Sequence, residues 1–184
     1  MGLSPASSGK GGTTSSADVL IAGEGLKGET FDRGISGGNT FGLGTGAMRA
    51  ATCPLTAGVT VTSCVSALTV AGVGMTHGWY LLYDRNQNLL AQTADSPASF
   101  QTTGLVQLNF TASVVVPATA VYYLAILCTT GTSMPTVMAS PNPTGSQVAI
   151  GSGVRRSGTQ AGLAAPPNPS VLADAATVVW LGAV

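Results

Sequence analysis

The chain has 184 residues, of which 45% are apolar and only 8% charged, with seven basic and seven acidic side chains and one histidine. An average soluble domain carries about 25% charged residues. The zero net charge leaves no basic excess to neutralise phosphates, so a nucleic-acid partner is excluded, and with no run of 18 apolar residues a membrane-spanning helix is excluded too.

Residues 1–50 read as an extended arm. "SPASSGKGGTTSSAD" has no periodicity and the composition of flexible chain. The opening "MGLSPASSGKGG" lacks the apolar core of a signal peptide, and Ala6 stands where N-myristoylation requires Ser or Thr. Next comes "DVLIAGEGLKGETF", Asp18 to Phe31, whose Gly23, Gly25 and Gly28 imitate a dinucleotide-binding fingerprint. That fingerprint needs a following helix whose N-terminus faces the pyrophosphate. Here "ETFDRGISGGNTFGLG" follows, with five glycines between Gly34 and Gly44 and no helical spacing. No βαβ unit can form, so the arm is expected to be extended, with "VLI" adding a strand to a neighbour. Ile35, Phe41, Leu43 and Met48 stand as isolated apolar anchors in this Gly-rich strip. They are the candidate contacts with neighbouring subunits, on a segment that orders upon binding.

Residues 51–184 change to alternation. "GVTVTSCVSA" places Val59, Val61, Val65 and Ala67 on one face and Thr60, Thr62 and Ser66 on the other. "GWYLLYDRNQNLLAQTA" reads as strand, tight polar turn (Asp84 to Asn88) and strand. "QTADSPASFQTTG" has room for a single helical turn. "LVQLNFTASVVVP" sets Val106, Leu108, Phe110, Ala112 and Val114 against Gln107, Asn109, Thr111 and Ser113. "VYYLAILC" is apolar on both faces, as a central strand is. "TVMAS" and "ATVVWLGAV" add short strands, and 141–170 is expected to be a long loop. Seven or eight short strands with turn signals between them predict an all-β fold, an antiparallel, jelly-roll-like β-sandwich.

Chemistry is scarce in this region. It offers His77, Asp84, Asp95 and Asp174, with no Glu or Lys, so no catalytic residue is assigned. Asp84 and Asp95 sit where turns use Asp as a side-chain acceptor. His77 precedes a strand, and no G-x-S-x-G elbow accompanies it. Cys53, Cys64 and Cys128 are odd in number and lack metal-ligand spacing. No metal or cofactor is expected, the thiols read as buried and reduced, and a Cys53–Cys64 bridge stays open. Arg155 and Arg156 in the long loop are the candidate contact with a partner carboxylate or an anionic glycan. Trp79, Tyr80, Tyr83, Tyr122 and Tyr123 lie on apolar strands and are assigned to core packing.

The stretch "GWYLLYDRNQNLLAQTADSPASFQTTGLVQLNFTASVVVPATAVYYLAIL", with the terminal "VVWLGAV", resembles a β-sandwich module of virion proteins from tailed phages of high-GC actinobacteria, often labelled minor tail proteins. The shared pattern is Leu82-Tyr83-Asp84, a polar hairpin, Leu89 to Asp95, and a Tyr-Tyr strand from Pro117 to Leu127. It covers roughly a third of the chain; "PATAVYY" departs from it by lacking a glycine before the Tyr pair. The resemblance implies a non-enzymatic virion structural protein of the tail, baseplate or capsid surface. It would be made in a host cytoplasm and would assemble with other virion proteins and copies of itself. The sparse charge points the same way, because a neutral surface with few charges does not keep monomers apart. The second expectation is a carbohydrate-binding module that recognises a host surface glycan.

Overall fold

A computed structural model describes residues 25–31, 38–129, 131–140, 157–167, 172–175 and 177–184. The strands are β1 (Gly28–Glu29), β2 (Thr40–Gly42), β3 (Met48–Leu55), β4 (Thr60–Val70), β5 (His77–Tyr83), β6 (Leu89–Gln92), β7 (Gly104–Val115), β8 (Ala120–Thr129), β9 (Thr136–Met138), β10 (Ser157–Gln160), β11 (Ala173–Asp174) and β12 (Leu181–Ala183). A 3-10 turn, Pro97–Gln101, is the one helical element among the described residues. It is far too short to cross a membrane.

Two antiparallel sheets pack face to face as a β-sandwich. The first has the order β1-β12-β4-β9-β2, with β7 along the other edge of β4; the second runs β11-β10-β3-β8-β5-β6. Their inner faces share one core: Cys53, Leu55, Tyr80, Leu82, Leu124 and Ile126 from the second sheet meet Cys64, Leu68, Val106, Phe110 and Leu181 from the first. The alternation read along β7 and the central place of β8 hold. The hairpin also holds. Asp84 accepts from the Asn86 and Asn88 amides at 2.8 and 2.9 Å and from Asn88 Nδ2 at 2.8 Å, while Gln87 takes a φ of 69°.

β4 departs from strict alternation. Its register against β7 shifts between Val61 and Ser63. A bulge adds one residue and so exchanges the faces beyond it. Val61 therefore points inward with Cys64, Ser66 and Leu68, whereas Val65 and Ala67 pack on the outer side with Leu26 and Trp180.

The described part of the arm is built into the sandwich. Lys27 donates its amide to the Ala183 carbonyl at 2.7 Å, and Thr30 exchanges bonds with Leu181 and Val179 of the far C-terminus. Gly28 belongs to the glycine triplet, and its role is steric. A Cβ there would lie 2.5 Å from the Pro54 carbonyl oxygen and 2.9 Å from a Leu55 methyl, so glycine lets β1 close onto β3. The expected boundary at residue 50 falls inside β3. The expected 141–170 loop is also interrupted, because Ser157–Gln160 pairs with Ala51–Met48. β10 has no apolar alternation to announce it; main-chain hydrogen bonding to the edge of β3 makes it a strand.

Candidate functional site

The hairpin β5–β6 turns at Asp84–Asn88 and shifts register by one residue between Leu82 and Tyr83, and the chain after β6 stays beside the start of β5, with Ser96 donating its amide to the Gly78 carbonyl. His77 and Asp95 meet at this base of the hairpin. His77 Nδ1 lies 2.5 Å from Asp95 Oδ2, and Asp95 Oδ1 accepts the Gly78 amide at 2.9 Å. The carboxylate is thus held at both oxygens. With Nδ1 bonded to it, the imidazole presents Nε2 for other partners. The ring stacks parallel to Trp79, centroids 5.3 Å apart and planes within 6°. Trp79 is buried beneath it, while the His77 side chain is 47% exposed.

Beside His77 a cavity of about 320 Å³ opens on the outer face of the second sheet. Thr45 and Gly46 line one side, Gly162, Leu163 and Ala164 another, and Thr129 the floor. The Leu163 amide donates to the Gly46 carbonyl at 2.9 Å, which ties the two walls together. Thr129 stands opposite His77 in the β5–β8 ladder. It is 4% exposed, and its Oγ1 is buried without a hydrogen-bond partner. Thr76 bonds only the Thr129 carbonyl. A buried hydroxyl left unpaired costs about 1–3 kcal/mol, so such atoms mark places where something else completes the bonding.

The residues singled out in the sequence lie elsewhere. Leu43 is 5% exposed in the inter-sheet core, and Met48 is fully buried on the outer face of the second sheet with Leu81, Tyr83 and Leu127. Their anchoring partner is their own domain, because each buried side chain of this size gains about 1.5–3 kcal/mol wherever apolar surface is at hand. Phe41 is half-buried beneath the Arg49 guanidinium, 4.5 Å from its ring centroid. Arg49 Nε is buried without a partner, and desolvation lowers the guanidinium pKa. Ile35, Arg155 and Arg156 lie outside the described residues, as does the "VLI" segment. Cys53, Cys64 and Cys128 are free and buried, and burial pushes all three thiols up.

The His77–Asp95 pair and Thr129 were missed as a unit. The first was partly legible, since a hairpin turning at Asp84–Asn88 brings the stretch around Asp95 back to the start of β5. Thr129 carried no signal, since its importance depends on which side chains the fold leaves unbonded. The arrangement provides binding groups: a fixed imidazole, a buried hydroxyl and apolar walls.

Against protein-family models and curated protein sequences the chain shows no match.

Proposed function

We propose that this chain is a non-enzymatic structural protein of a phage virion, assembling through its sandwich and N-terminal arm with copies of itself and with other virion proteins. The observation that carries the proposal is the character of the outer β4–β7 face. The two strands span Thr60–Val70 and Gly104–Val115 without a single Asp, Glu, Lys, Arg or His. Leu105 and Val115 are 66% and 63% exposed there, beside Gln107, Asn109 and Ser113. Proteins that remain monomeric guard long exposed strands with charges, prolines or short length. This one uses none of these along β7, the behaviour of a surface meant to be covered.

The sequence resemblance supplies the virion context, and the low charge of the whole chain agrees with it. Two experiments test the two halves of the proposal. Sedimentation velocity of the full chain should show concentration-dependent oligomers. Cryo-electron microscopy of the intact particle should place the chain in the shell or tail with neighbours on β4–β7. A freely soluble monomer at high concentration would defeat the assembly claim, and absence from purified particles would defeat the virion claim.

A further inference from the structure

We infer that the cavity between His77, Thr129 and the 162–164 segment is a binding site for one ring of a neutral sugar. The inference stands apart from the virion assignment, because it rests on a different face of the molecule.

Three observations meet at one place. The first is the cavity itself, about 320 Å³, the size at which small-ligand sites begin. The second is Thr129, a residue of the cavity lining whose hydroxyl is buried and has no partner of its own. The third is His77, whose ring is fixed from behind by Trp79 and at Nδ1 by Asp95. A side chain held so firmly loses little freedom when a ligand arrives, which is what an exposed binding group requires.

The lining decides the class of ligand. His77 is the one ionisable residue among the described residues that line the cavity, and the Asp95 carboxylate is already bonded to it. Among the described residues, the lining holds no Lys or Arg for a phosphate or carboxylate and no carboxylate for an amine. Metal chemistry finds no support either, since no cluster of three ligating side chains exists among the described residues. What remains is hydroxyl chemistry with apolar relief. Thr129 Oγ1 can both donate and accept, and His77 Nε2 supplies a second polar contact. Leu163 and Ala164 offer surface for C–H groups. A pyranose combines these features, with hydroxyls on its edge and apolar C–H faces. The same ring could come as a free monosaccharide or as the terminal residue of a longer glycan.

The test uses the full chain. Saturation-transfer NMR and calorimetry are run at millimolar concentration with glucose, galactose, mannose, rhamnose and N-acetylglucosamine. Oligosaccharides ending in the same residues form a second arm, and galacturonate is the anionic control. At least one neutral sugar should bind, with galacturonate at least tenfold weaker. Thr129→Val, which keeps the shape and removes the hydroxyl, should weaken binding tenfold or more without lowering the melting temperature; Thr129→Ser should restore it. His77→Ala should also lose binding, while Leu105→Lys on the opposite sheet should not. A terminal glycan residue is the source if the oligosaccharides bind tighter than the free sugars, and a free sugar is the source if they do not bind. No binding in either arm, equal binding by Thr129→Val, or preference for galacturonate would overturn the inference.

Discussion

The space between the sheets and the outer face of β4–β7 are built from the same strands to opposite ends. Between the sheets, every large side chain finds a partner within the chain. Tyr80 from β5 crosses to the first sheet, where its hydroxyl lies 2.5 Å from Ser66 Oγ and donates to the Val106 carbonyl at 3.1 Å. Phe100 from the 3-10 turn meets Tyr80 edge-on at 5.2 Å. On the outer face, the neighbouring residues of the same β7 strand, Leu105 and Gln107, stand in solvent. One strand thus carries a surface finished by its own chain and a surface left open. If the open side is an interface, substitutions should separate cleanly: those inside should change folding, and those outside should change association.

The largest inside effect should come from alkali. Burial raises the Cys53, Cys64 and Cys128 thiols above their ordinary value of about 9. The unfolded chain therefore releases these protons first as pH rises, binds fewer protons than the folded chain, and is favoured. The sign is a loss of stability with rising pH, beginning near pH 9 and growing at about 1.4 kcal/mol per pH unit per thiol. At pH 10 the three together should cost about 4 kcal/mol, read as a falling urea midpoint. Replacing all three by Ala should remove most of the fall, leaving the smaller share that the buried Tyr80 and Tyr83 hydroxyls add as pH approaches 10. A wild-type midpoint constant from pH 8 to pH 10 would mean that the thiols are accessible.

Next in size is Gly78→Ala. A Cβ at Gly78 would stand 2.3 Å from Cδ2 and 2.6 Å from Cε2 of Phe100, a ring with no exposure. Overpacking of this kind costs about 3 kcal/mol. The double variant Gly78→Ala with Phe100→Leu should recover part of the loss in thermal unfolding, because the clash has a single source.

The strands were legible where one face is wet and the other dry, as along Val106 to Val114, and where both faces are apolar, as from Val121 to Cys128. These patterns follow from burial, which composition records directly. The bulge after Val61 left no trace in the alternation of Val and Thr, and so the outward turn of Val65 was hidden. Leu43 and Met48 looked like anchors for a partner because a Gly-rich strip hides which surface it lies on. Their own sheet was nearer. The strands β1, β10 and β11 are two to four residues long and held by main-chain bonds to distant segments, information that no local window contains. In the candidate site, the hairpin that returns Asp95 to the neighbourhood of His77 was present in the sequence, but the one-residue register shift within it was not. The orphaned hydroxyl of Thr129 exists only once the packing is complete.

Tyr80→Phe should cost about 2 kcal/mol, since it leaves the buried Ser66 hydroxyl and the Val106 carbonyl without their shared partner. The loss should be seen in chemical denaturation with the oligomeric state of the remaining folded protein unchanged. The smallest effect on stability, and the most telling, belongs to the open face. Leu105→Lys and Val115→Lys each place a charge on exposed β7 positions where little packing within the chain is lost. Their unfolding free energies should stay within about 0.5 kcal/mol of wild type. In sedimentation velocity, however, two cations facing a second copy or another partner must be desolvated without a counter-charge, which association through this face cannot tolerate. The double variant should therefore sediment as a monomer at concentrations where the wild type assembles. If it assembles as before, β4–β7 is an exposed surface with no partner, and the low charge of the chain serves some other contact.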